Sequence, residues 1–127
     1  MAQDQSELVF NMDRMYLLKN DGSPVILNVI IGDKGQSPDI DVKLNSKKLV
    51  TGQNDSIKNL EIGIDKAITG KVLKIAGNVV DTADDSNKIE VTVKLKGGVN
   101  DFSKKFSVTV EEDGEEVDLS FVFRFTN

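Results

Sequence analysis

Apolar residues recur at every second position in stretch after stretch of this chain. The cleanest run lies near the C-terminal end, where Val117, Leu119, Phe121, Phe123 and Phe125 alternate with Asp118, Ser120, Val122, Arg124 and Thr126. Ile89, Val91, Val93 and Leu95 alternate in the same way with Glu90, Thr92, Lys94 and Lys96. Phe106, Val108 and Val110 do so with Ser107, Thr109 and Glu111. A period of two puts one set of side chains on each face of an extended strand, so each run reads as a strand with one buried face. Slipping such a strand by one residue would turn its apolar row to water, which specifies its register strongly.

Earlier segments follow the same rule less cleanly. Leu8, Phe10, Met12, Tyr16 and Leu18 share a parity, and residues 20–24 (Asn-Asp-Gly-Ser-Pro) read as a turn. Val25, Leu27, Val29 and Ile31 come next, with Ile26 and Ile30 adding apolar character to the opposite face. Residues 32–38 break that strand, and further short strands are expected around Ile40, Val42 and Leu44, around Leu60, Ile62 and Ile64, and around Leu73, Ile75 and Val79. Residues 46–56 and 81–88 read as polar connections. The pattern predicts an all-β fold, an antiparallel β-sandwich of about seven to eight strands, with immunoglobulin-like and jelly-roll topologies both open and a small barrel as the alternative. Residues 1–6 are expected to form a flexible N-terminal segment, and residues 7–127 a single sandwich domain.

Two turns suggest hairpins. Asp113-Gly114 has the chemistry of a tight two-residue turn, which needs positive φ. The register it implies opposes Val110 to Val117, Val108 to Leu119, Phe106 to Phe121 and Phe102 to Phe125, apolar against apolar throughout. A first hairpin around residues 20–24 would set Leu17 opposite Ile26, with Met15 and Ile30 nearby. Together those four make an apolar outer face, an expected interface with a protein partner or a second subunit.

Composition removes whole classes of chemistry. The 127 residues include no Cys, His or Trp. There is therefore no disulfide framework, no thiolate nucleophile, no imidazole base and no Ser-His-Asp triad. A net charge of −5 argues against a nucleic-acid partner, because phosphates need a basic field. Much of that charge sits in one place: the stretch 111–118 holds six acids and no base, and without them the chain is near neutral. No apolar run is long enough to span a bilayer as a helix, so membrane insertion is not expected. The first residues carry neither a basic region nor an apolar core of a signal peptide. That favours a cytoplasmic or virion-associated protein if Met1 is native, and an extracellular or periplasmic one if Met1 is a cloning start.

Two loops are candidates for ligand chemistry. Asp81, Asp84 and Asp85, in a loop with Asn87, are candidate calcium ligands, although the spacing lacks the order of an EF-hand and a solvated Asx turn accounts for the same residues. The acidic tip, Glu111, Glu112, Asp113, Glu115 and Glu116, would bring like charges across the expected hairpin, an arrangement that invites a cation, a basic partner or simple solvation. No other cofactor is indicated. All six Phe residues fall on inward parities, so sugar stacking has no platform, and glycan binding would have to rely on hydrogen bonds or calcium. The expected function is a non-enzymatic protein–protein interaction or structural assembly module of the virion, tail, secretion or cell-surface kind. The alternative is a secreted ligand-binding module, calcium-dependent and carbohydrate-directed.

Overall fold

A computed structural model describes residues 8–32, 36–81, 88–110 and 114–127. The expected segment at residues 1–6 lies outside these. Nine strands are present among the described residues: β1 (Leu8–Leu17), β2 (Pro24–Ile31), β3 (Gln36–Leu44), β4 (Lys47–Gln53), β5 (Ile57–Ile64), β6 (Val72–Asp81), β7 (Lys88–Lys96), β8 (Phe102–Thr109) and β9 (Glu116–Thr126). A single helical turn, α1 (Asp65–Ile68), follows β5. The strands form a five-stranded sheet, ordered β1-β9-β6-β3-β4, and a four-stranded sheet, ordered β5-β2-β7-β8. The two sheets pack as a sandwich and no barrel closes. All pairings are antiparallel except β1 with β9, which run parallel from Leu8 beside Val117 to Leu17 beside Thr126.

The alternating rows meet between the sheets. Phe10, Met12 and Tyr16 of β1, Leu73 and Ile75 of β6, and Val117, Leu119, Phe121, Phe123 and Phe125 of β9 come from one side. Val25, Leu27 and Val29 of β2 and Ile89, Val91, Val93 and Leu95 of β7 come from the other, and all are buried. Burying one such side chain contributes about 1.5–3 kcal/mol, so the two rows dominate the stability of the fold. Aromatic rings run through the layer: Phe106 lies 4.9 Å from Phe121 and 5.5 Å from Phe10, and Phe102 stands edge-on to Phe123 at 5.2 Å.

Neither expected hairpin forms. β8 pairs with β7 and β9 pairs with β6 and β1, so the chain crosses between sheets at Gly114. There Gly114 N–H donates to Asp81 O at 2.8 Å and Asp81 N–H to Glu115 O at 2.9 Å, which extends the β6–β9 ladder instead. Phe106 and Phe121 still touch, with their rings tilted by 33°, but from opposing sheets rather than side by side in one sheet. Likewise β1 and β2 belong to different sheets, and Leu17 does not face Ile26. The physical reason is common to both. A hairpin and a corner of a sandwich each require the two strands to turn their apolar parity the same way, so alternation alone does not separate them. The genuine tight hairpin is β3–β4, closed by Asn45 at φ 52° and Ser46 between Leu44 and Lys47. Its second strand lies inside the stretch that reads as a polar connection, because β4 is an edge strand with little to bury.

Two close contacts fix the architecture, one between the sheets and one within the five-stranded sheet. The Tyr16 hydroxyl on β1 donates to Leu95 O at 3.1 Å on β7 and accepts Gly98 N–H at 3.0 Å. Burial is the first cause that raises its pKa above the ordinary 10.0 of a phenol. At Gly77, in mid-β6 at φ 147°, a Cβ would stand 1.9 Å from Asp39 O of the neighbouring strand, so only glycine fits. Gly77→Ala is expected to cost about 3 kcal/mol in denaturant unfolding. Gly114→Ala, where a Cβ meets nothing and only the positive φ is strained, should cost about 1 kcal/mol.

Tyr16→Phe leaves Leu95 O and Gly98 N–H without that partner and is expected to cost about 1–2 kcal/mol. Because the folded phenol ionises later than the unfolded one, its stabilisation is complete below pH 10.0 and is lost as pH rises through the folded value. The chain has one tyrosine, so phenolate absorbance reads this group alone. Its midpoint should fall back toward 10.0 in denaturant.

Candidate interaction surface

β1 is an edge strand, and its outward parity carries Val9, Asn11, Asp13, Met15 and Leu17. Met15 is 72% exposed, Leu17 48% and Val9 46%. Val99, in the β7–β8 connection, is exposed beside them and donates its N–H to Leu17 O at 3.0 Å. Of the five large apolar residues exposed among the described residues, four therefore lie on β1 or against its end, and the fifth is Ile64. Gathering of this kind marks a surface that scattered exposure would not. A polar bridge divides the stripe: Arg124 of β9 forks onto both carboxylate oxygens of Asp13, each at 3.0 Å. The Arg124 hydrogen bond holds the Asp13 carboxyl below its ordinary range and raises the Arg124 guanidinium in turn.

The four sheet edges differ in how they resist pairing. β4 is short, carries Lys47 and Lys48, and has an irregular register with positive φ at Gly52. β5 is bulged against β2 and has positive φ at Asn59 and Gly63. β8 holds Lys104 on the same parity as Phe102, Phe106 and Val108. Short length, bulges and inward-pointing charge all blunt an edge. β1, in contrast, runs ten residues in one unbroken register. Two features oppose pairing there. The β7–β8 connection covers the Leu17 end, where Val99 N–H donates to Leu17 O and Gly98 bridges Leu18. Arg14 falls on the inward parity with Phe10, Met12 and Tyr16 yet remains exposed.

Arg14 and Lys104 close the open side of the sandwich where β1 and β8 face each other. The Arg14 guanidinium carbon lies 5.7 Å from the Phe102 ring centre, and Lys104 Nζ lies 5.0 Å from that of Phe106. Both sit within cation–π range, with their stems covering rings that are otherwise half-buried. Neither makes an ion pair among the described residues. Lys88 and Lys105, on the outer face, do reach a carboxylate: they flank Glu90 at 2.6 and 3.4 Å, and the Lys88 hydrogen bond leads in lowering the Glu90 pKa.

The residues expected to act together are only partly brought together. Met15 and Leu17 share the outer face of β1, whereas Ile26 and Ile30 lie half-buried on the outer face of β2 in the opposite sheet. Ile26 is flanked there by Lys96 and Glu61, and the four do not form one patch. Of the calcium candidates, Asp84 and Asp85 lie outside the described residues. Asp81 is fully buried at the end of β6, beside Gly114 and Glu115. Of the acidic tip, Glu111, Glu112 and Asp113 lie outside the described residues, Glu115 is half-buried, and Glu116 is exposed beside Val80. The like-charge ladder expected there depends on a β8–β9 pairing that does not exist. Among the described residues no group of three acidic side chains is placed to hold a metal ion.

Two features drew no attention in the sequence. Arg14 is one, and its signal was available: a charge standing in an otherwise apolar parity. Asp65 is the other, a fully buried carboxylate whose Oδ2 accepts Asp21 N–H at 2.7 Å and Gly22 N–H at 3.0 Å. Its own N–H donates to Ser23 O at 3.1 Å, so it pins the β1–β2 connection. A shallow groove of about 450 Å³ between β4 and β5 is lined by Val50, Gln53, Ile57, Asn59 and Glu61 among others, and it is open and mostly polar. No family model, no curated protein and no solved structure matches this chain. Asp65→Ala is expected to cost about 2 kcal/mol and to speed hydrogen exchange at Asp21 and Gly22, with Asp65→Asn intermediate because it keeps one acceptor.

Proposed function

We propose that this chain is a non-enzymatic assembly module that joins a protein partner through the β1 edge. The observation that carries this reading is the combination on one strand of an unbroken ten-residue register with Val9, Met15 and Leu17 exposed on its outward face. An extended segment laid beside β1 would gain main-chain hydrogen bonds along the edge from Val9 to Met15, Leu17 O being already taken by Val99 N–H, and would bury the apolar stripe at the same time. Val99 enlarges that stripe at its Leu17 end. Ile26 and Ile30 take no part in this contact, being on the other sheet. The chemistry of the chain agrees: with no His or Cys, and with the buried Asp65 committed to backbone amides, the described residues favour binding over reaction.

A photo-crosslinking amino acid at Met15 or Leu17, in the cells from which the chain derives, is expected to give discrete adducts of higher mass. The same group at Lys94, exposed on the outer face of the opposite sheet, should give none. Adducts from no position, or equally from all three, would overturn the assembly reading.

A further inference from the structure

The cations at the seam between β1 and β8 say what kind of strand the edge accepts. We propose that β1 takes an extended segment of a partner protein that carries a carboxylate side chain facing Arg14 and Lys104. This rests on the edge-pairing reading and specifies its partner. A strand added beside β1 continues the sheet, so its side chains alternate between the outer face and the open seam of the sandwich. Those on the outer face would lie along Val9, Met15 and Leu17 and are therefore apolar. Those on the seam side would approach Arg14, and behind it Lys104.

Charge selects among the occupants of such an edge. A second copy of this chain, paired antiparallel about Met12, would match its outer faces well, with Val9 of each copy opposite Met15 of the other. The same two-fold would bring two Arg14 and two Lys104 side chains to one seam, and among the described residues no carboxylate pairs with either. Like charges brought together and drawn away from water oppose association. Arg14 thus acts against self-pairing, as inward-pointing edge charges do. A carboxylate on the incoming strand turns the same two cations into attraction, and a guanidinium over an aromatic face is well placed for a charge-assisted hydrogen bond. The net −5 of the chain is carried largely by the stretch 111–118, so the two cations at this seam meet an incoming carboxylate on a surface that is near neutral elsewhere.

The test uses two short blocked peptides of alternating valine and threonine, identical except for glutamate or lysine at one central seam-side position. Binding is read by fluorescence anisotropy and by amide shifts in isotope-labelled protein. The glutamate peptide is expected to bind about tenfold more tightly than the lysine peptide, with shifts concentrated in β1. The double variant R14E/K104E, altered at two exposed positions, should reverse that preference. Equal affinities, shifts away from β1, or no binding of either peptide would overturn the acidic-strand proposal. If crosslinks from Met15 persist in cells while the peptides show no charge preference, the assembly reading stands and only this specification of its partner falls. An adduct of twice the chain mass would replace the partner by a second copy.

Discussion

The row of Val117, Leu119, Phe121, Phe123 and Phe125 along β9 is the constraint to which the other strands answer. Five large apolar side chains on one face of one strand cannot be covered by neighbours in the same sheet. They require an opposing sheet, and β2 and β7 supply it with two further alternating rows. Once β9 is committed inward, its two edges are open to strands of the same parity, and β6 takes one while β1 takes the other. Phe106 and Phe102 complete the cover from β8, on the far side of the core. The exposed stripe on β1 is a by-product of the same geometry: with Phe10, Met12 and Tyr16 held against the β9 row, Val9, Met15 and Leu17 must face out.

Which side chains are inside was largely legible in the sequence, because burial follows parity and parity is written residue by residue. Phe10, Tyr16, Ile89, Val110 and Val117 are buried as their alternation implies. Which strands lie side by side was not legible. The row from Phe102 to Val110 and the row from Val117 to Phe125 match equally well as a hairpin and as opposing walls of a core, and the walls are what form. That ambiguity also joined Met15 and Leu17 to Ile26 and Ile30, which the fold separates onto opposite faces. β4 escaped notice because an edge strand with Lys47, Lys48 and Thr51 has too little apolar pattern to register. Asp65 escaped because its role depends on backbone amides more than forty residues away in sequence, a relation no local pattern contains.

Among the described residues, two buried polar side chains, those of Tyr16 and Asp65, hold backbone groups together. The Tyr16 hydroxyl bridges Leu95 O and Gly98 N–H, and the Asp65 carboxylate gathers the amides of a turn. Each fastens a point where the chain passes between sheets or where the sheets meet. The features that support the proposed contact are at the surface, where Arg14 and Lys104 lie over the Phe102 and Phe106 rings beside the β1 edge. In the proposed contact, attraction and exclusion come from the same strand: its backbone and outward side chains would draw a neighbour, and Arg14 would restrict which neighbour fits.

The parallel run of β1 against β9 also sets how the molecule would respond to tension. Leu8 lies beside Val117 at one end of the shared ladder, and Leu17 lies beside Thr126 at the other. A pull that draws Leu8 and Thr126 apart acts along the strands, so it loads the hydrogen bonds of the ladder in shear, together rather than one after another. An antiparallel pair pulled from adjacent ends would instead open like a zipper, each bond bearing the force in turn. A module loaded through its first and last strands is thus arranged to transmit force lengthwise through its longest pairing.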